Sequence, residues 1–205
     1  QEVPEVVEKF PLPRLLDILI QVCQTLAFAH EMGVIHRDLK PANIIVGKFG
    51  EVYVLDWGLA KIKGTQSLVH GKISEEPIPQ DFKLTPTGRH YGTPMYMSPE
   101  IATGDPNLDE RSDIFALGVI LFEMLTLQSF VDGEDIIEIK EKILNKPYPL
   151  PREVAPNREI PRDLQALCMK ALQRKKSKRY PNILQLLDDL QKFRHGEEVS
   201  VYWYS

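Results

Sequence analysis

The chain has 205 residues, 43% of them hydrophobic and 26% charged, with a net charge of −4 and a pI near 5.8. That length allows one large domain or two small ones with a sizeable core, in a composition ordinary for a soluble globular protein. The mild acidity offers no attraction to a nucleic-acid backbone or an anionic membrane, so neither is expected as a partner.

Cys23 and Cys168 both fall in helix-like apolar patterns, where buried free thiols are expected rather than a disulfide or a metal site. A reducing, cytoplasmic setting follows, although a longer parent protein with a membrane anchor would leave this segment on the cytoplasmic side. The longest strongly apolar run, Ile114 to Phe122, is too short to span a bilayer and is bracketed by Asp113 and Glu123. No signal-peptide pattern stands at the start, and no membrane contact is expected of this segment. The histidines are scattered without metal-ligand spacing.

Residues 1 to 11 are mixed and Pro-containing and read as the end of something begun earlier. From Leu12 to Met32 apolar residues recur every three or four positions, at Leu15, Leu16, Leu19, Val22, Cys23, Leu26 and Ala29, which predicts an amphipathic helix that Gly33 ends. Gln24 and His30 on it read as surface or cap residues.

Residues 34 to 58, VIHRDLKPANIIVGKFGEVYVLDWG, carry the chemistry. Ile44 to Val46 and Glu51 to Leu55 flank a Gly-containing loop and predict a hairpin. Centring its loop between Lys48 and Phe49 pairs Asn43 with Val54 and sets Asp56 about 7 Å further along, so that both side chains can face one site. Hard oxygen donors so placed suit Mg²⁺, which is commonly completed by substrate phosphates. Asp38, in a segment that Pro41 keeps from continuing as helix, is left free to accept the proton of an attacking hydroxyl. Lys40 supplies a positive charge beside it.

This stretch resembles the catalytic loop and metal-binding motif of eukaryotic-type (Hanks-type) serine/threonine protein kinases, H-R-D-x-x-x-x-N followed by D-F-G. His36, Arg37, Asp38, Asn43, Asp56 and Gly58 match, and Trp57 stands where Phe is usual. The resemblance, closest to bacterial members, implies a mainly α fold. It is that of a kinase C-terminal lobe with a small β-hairpin carrying the catalytic and metal-binding loops. It further implies Asp38 as catalytic base with Lys40, Mg²⁺ held by Asn43 and Asp56, ATP met by Lys40, Asn43, Ile45 and Asp56, and packing roles for His36 and Trp57.

Residues 59 to 92 are irregular and rich in Gly, Ser, Thr, Pro and charge. In the family this is the activation segment, here 56 to 100. Thr85 and Thr87 are candidate phosphorylation sites facing Arg37, against the alternative of two solvated threonines. The block GTPMYMSPE, Gly92 to Glu100, resembles the substrate-docking loop. Thr93 with Lys40 is the serine/threonine pattern, and Tyr96 and Met97 would pack beneath the substrate.

Ser112 to Thr126 is apolar all round, predicting a central buried helix. In kinases the residue matching Asp113 holds the catalytic-loop backbone, the alternative being a simple N-terminal helix acid. Further helices are expected over 134 to 145, Leu164 to Gln173 and Ile183 to Phe193, with 147 to 161 as a connecting loop. The resemblance pairs Glu100 with Arg179. One kinase lobe is thus expected over residues 1 to 195, with a tail from 196 to 205.

No G-x-G-x-x-G and no V-A-I-K lysine occurs in the chain, and no two of its 12 glycines stand two residues apart. The phosphate-covering N-terminal lobe is therefore expected upstream of Gln1. Two functions remain open at this point. One is the large lobe of an active kinase, inactive alone, with a Ser/Thr-bearing protein as substrate. The other is a silent kinase-like scaffold, against which the joint presence of Asp38, Lys40, Asn43 and Asp56 speaks.

Overall fold

The computed structural model describes residues 11–62 and 94–201. It opens with α1 (Leu12–Glu31), whose Pro13 lies in the first turn, where a missing N–H leaves no helical bond unmade. Gly33, at φ 75°, takes the left-handed turn that ends it. By length and composition α1 is apolar enough to cross a membrane, a property the sequence reading passes over. Its apolar seam of Leu16, Leu19, Val22, Cys23 and Leu26 is buried in the protein core.

Among the described residues four short strands follow, β1 (Val34–Ile35), β2 (Ile44–Val46), β3 (Val52–Val54) and β4 (Lys61–Ile62). They form two antiparallel pairs, β1 with β4 and β2 with β3. The β2–β3 register corrects the expected one. Ile44 faces Val54, so Asn43 lies opposite Leu55, whose N–H donates to the Asn43 carbonyl at 2.8 Å. The cause is the loop. Gly50 at φ 91° supplies the left-handed position of a three-residue turn centred on Phe49, closed by Gly50 N–H to Gly47 O (3.2 Å) and Gly47 N–H to Glu51 O (2.8 Å). Asp56 then stands one residue past the Asn43 pairing, nearer than expected.

The remaining helices are α2 (Pro99–Thr103), α3 (Arg111–Thr126), α4 (Ile136–Asn145), α5 (Pro151–Val154), α6 (Arg162–Ala171) and α7 (Ile183–His195). The run 147 to 161, expected as loop, contains α5, because Pro151 starts a turn where its fixed φ fits. Helix α3 is buried on nearly every face and forms the centre, with α6 packed on it and α7 on α1. The α3–α6 approach is close: a Cβ at Gly118 would lie 3.0 Å from Ala171 Cβ and 3.0 Å from Leu172 Cγ.

Two polar clusters lock this frame. Arg179 and Glu100 form a bidentate pair (2.6 and 2.7 Å) with side chains 0% and 4% exposed, and Ser112 Oγ donates to the same carboxylate. Buried Asp189 on α7 accepts from Tyr180 Oη (2.8 Å) and from both the N–H (2.7 Å) and Oγ (2.8 Å) of Ser200, drawing the tail back onto the domain. Both cysteines are free and buried, as expected.

Candidate active site

The site grows from the turn that joins β1 to β2. Arg37 takes a left-handed conformation, φ 71°, which costs a β-carbon-bearing residue about 1–2 kcal/mol and so needs support. Asp113, in the first turn of α3 and 1% exposed, provides it: Oδ2 accepts from the His36 N–H at 2.9 Å and Oδ1 from the Arg37 N–H at 2.8 Å. The anchoring of the loop backbone is therefore carried by a carboxylate 76 residues away. His30, expected as a surface or cap residue, instead turns inward to another helix. Its Nε2 lies 2.8 Å from Asp113 Oδ2, and its side chain is 8% exposed. Gln24 is exposed, as expected.

A closed ring of hydrogen bonds then ties the Asp38 and Asp56 segments together. The Asp38 N–H donates to His36 Nδ1 (3.3 Å), which fixes the ring tautomer so that Nε2–H donates to the Leu55 carbonyl (2.9 Å). Leu55 N–H reaches the Asn43 carbonyl, and Asn43 Nδ2 returns to the Asp38 carbonyl at 2.8 Å. Asn43 is itself buried, its amide nitrogen committed to that bond and its Oδ1 turned to the other side. Trp57 packs against the His36 ring, centroids 4.7 Å apart and planes tilted by 60°, and donates Nε1–H to the Val54 carbonyl (3.0 Å), a bond that Phe could not make.

Asp56 is exposed and held at φ 61°, ψ 62°. Its Oδ1 leans over Gly58, where a Cβ would come within 3.3 Å. Asp38 remains partly exposed and pairs with Lys40 Nζ at 2.7 Å. Ile45 and its cross-strand partner Tyr53 are exposed on the outer face of the hairpin. Among the described residues Arg37 Nε is buried without a hydrogen-bond partner. Tyr96 donates its hydroxyl to Glu123 of α3 at 2.7 Å, and burial followed by the Glu123 contact pushes that phenol up. Thr85, Thr87 and Thr93 lie outside the described residues, as does most of the segment 56 to 100.

A family model described as the protein kinase domain matches residues 5–189. The chain belongs to the protein kinase family. Among its relatives is the serine/threonine-protein kinase PknD of Protochlamydia amoebophila, 39% identical over 184 residues, which are 89% of this chain and 18% of that protein. The PknD proteins of Chlamydia pneumoniae (39% over 197 residues) and Chlamydia felis (38% over 195) each match 94% of this chain and 20% of their own length. This kinase chain thus spans about a fifth of the length of those relatives.

Kinases generally use ATP with Mg²⁺, and Asn43 and Asp56 offer oxygen donors of the kind Mg²⁺ takes. Asn43 Oδ1 and the Asp56 carboxylate are hard oxygens on two segments joined by the hydrogen-bond ring, and the absence of a Cβ at residue 58 leaves the Asp56 carboxylate uncrowded. Sequence reasoning missed His30. Its only signal was a lone histidine at a helix end, and nothing local indicates a partner 83 residues away.

Proposed function

We propose that this chain is the large lobe of a serine/threonine protein kinase, which in the complete protein transfers the ATP γ-phosphoryl group to serine or threonine hydroxyls of a protein substrate. The ring linking Asp38, Asn43, Leu55 and His36 supports this reading, because it ties the segment that carries the Asp38 carboxylate, itself paired with Lys40, to those that carry the Asn43 and Asp56 oxygens. Bound Mg-ATP supplies the transferable phosphoryl group and neutralises its charge. Asp38 orients the acceptor hydroxyl and takes its proton. Lys40, 2.7 Å from Asp38, supplies a positive charge that can follow the moving phosphoryl group. Asn43 and Asp56 would hold the metal, and the exposed Ile45 would offer an apolar surface to the base of the nucleotide. A scaffold has no chemical need for this set.

Arg37, with its buried unpartnered Nε, suits a phosphate on Thr85 or Thr87. Thr93 with Lys40 supports serine/threonine over tyrosine acceptors. Phe28, Met32 and Tyr53 are also exposed, and such apolar surface suits cover by an upstream N-terminal lobe carrying the phosphate-covering loop. The buried free thiols fit a cytoplasmic location.

The test is Asp38→Asn in the full-length protein. Turnover on a serine- or threonine-bearing substrate falls about 10²- to 10⁴-fold while circular dichroism stays native. Unchanged turnover removes Asp38 from the role and this mechanism with it.

A further inference from the structure

We propose that Ser200 is a phosphorylation site and that a phosphate on it releases the tail from α7; the proposal rests on the kinase reading, which supplies the phosphoryl donor. Ser200 is exposed, yet it ties the tail to Asp189 twice, by N–H to Oδ1 at 2.7 Å and by Oγ–H to Oδ2 at 2.8 Å. Asp189 itself is fully buried, and its third bond comes from Tyr180 Oη at 2.8 Å. A carboxylate receiving three donors acts as an acceptor-only group. The contact therefore lasts only while residue 200 offers hydrogens and no negative charge.

Phosphorylation reverses both conditions. Oγ loses its hydrogen and gains about −1.5 to −2 charge beside a buried carboxylate, with Glu197 and Glu198 close by in the chain. The cations nearby are already engaged: Lys192 pairs with Asp188 at 2.7 Å, and Lys170 lies over the Tyr180 ring at 4.0 Å. Docking of the tail does not need the hydroxyl. Without it the Ser200 N–H and Tyr180 Oη still give each Asp189 oxygen a donor, and Val199 is still buried. What serine adds is a phosphoryl acceptor at the point where charge decides whether the tail stays. Opening the segment breaks two hydrogen bonds and exposes one apolar side chain, so the serine is attacked in its released form. Its Oγ bonds to the γ-phosphorus of ATP held by a second copy of the kinase, the bond from that phosphorus to the oxygen of the departing ADP breaks, and the hydroxyl proton passes to that copy's Asp38. The new phosphate then prevents the tail from closing again.

Both halves are tested in the full-length protein. For the modification, Asp38→Asn protein serves as acceptor for a small amount of wild type with Mg-ATP, and mass spectrometry locates the phosphate. Ser200 is modified, and adding Ser200→Ala to the acceptor removes that phosphopeptide. For the release, hydrogen exchange of a peptide spanning residues 196 to 201 is compared in Ser200→Asp and Ser200→Asn, which differ in charge and hardly in size. Exchange accelerates about 10-fold or more in Ser200→Asp and stays within about threefold of wild type in Ser200→Asn and Ser200→Ala. An unmodified Ser200 in an acceptor phosphorylated elsewhere overturns the proposal and leaves the kinase reading intact. Native exchange in Ser200→Asp also overturns it. So does equal acceleration in Ser200→Asp and Ser200→Asn, which makes bulk the cause, or slower exchange in Ser200→Asp, which means that Lys192 has captured the charge. If wild type phosphorylates nothing, the kinase reading fails and takes the phosphate with it, while the exchange comparison still reports whether charge opens the tail.

Discussion

Among the described residues three L-amino acids adopt left-handed backbone, Arg37 at φ 71°, Asp56 at 61° and Leu127 at 57°. The first two lie in the site, where hydrogen bonds hold the segment in place. Leu127 only caps α3, with its N–H on the Glu123 carbonyl. Glycine is the residue that adopts this conformation freely. Leu127→Gly is therefore expected to stabilise the protein by about 1 kcal/mol, seen as a rise of about 2–4 °C in Tm. On the proposed mechanism, the same replacement at Arg37 or Asp56 relieves strain and removes a side chain the site uses. An unchanged or lower Tm for Leu127→Gly means its partly exposed side chain contributes more than the backbone loses. At this scale local spacing singled out Asp38, Asn43 and Asp56, whose segments the structure joins through one hydrogen-bond ring. It hid His30, whose meaning is a contact made only after α1 and α3 are packed.

Between elements, contact is governed by small or charged side chains at single points. Gly118→Ala improves helix propensity by about 1 kcal/mol, yet its new Cβ meets Ala171 and Leu172 at 3.0 Å. Overpacking prevails, with an expected net loss of about 1–3 kcal/mol by urea denaturation, partly recovered when Ala171→Gly is added. Breaking the Glu100–Arg179 pair is more severe. Glu100→Gln leaves a buried guanidinium without its counter-charge and should cost about 3–5 kcal/mol. A loss under 1 kcal/mol would mean that the Arg111, Gln173 and Arg174 carbonyls, which also accept from Arg179, suffice to hold it. The five longer helices were legible from their periodicity to within a few residues, whereas the short α2 and α5 were not. The hairpin register was not, because it depends on Gly50 taking φ 91°, which makes a three-residue turn where a two-residue turn was assumed.

For the whole molecule, two titrations report on folding. Burial alone would raise the Glu100 carboxyl, but hydrogen bonds and charge from Arg179 outweigh it and hold the group below its ordinary value. A carboxyl depressed in the folded state contributes stability above its unfolded pKa, about 4.3, and loses it as pH falls through the folded value. The Glu100 contribution is thus expected intact at neutral pH and lost from about pH 4 downward. In Glu100→Gln the stability profile should be flatter in that window, as measured by denaturant midpoints across pH. Burial pushes the Cys23 thiol up to about 12 and raises Cys168 as well, so native protein at pH 8 should resist alkylation and label at both sites only with urea unfolding. Labelling before the far-ultraviolet transition would reveal local opening around α1 or α6.

The grip of Asp189 on Ser200 bears on how force and motion enter from the tail. Two hydrogen bonds from Ser200 to Asp189 and the buried Val199 anchor the segment that leaves α7. A pull there meets α7 first. It passes by the Arg194–Asp17 ion pair into α1, the helix whose far end holds His30 against the catalytic turn.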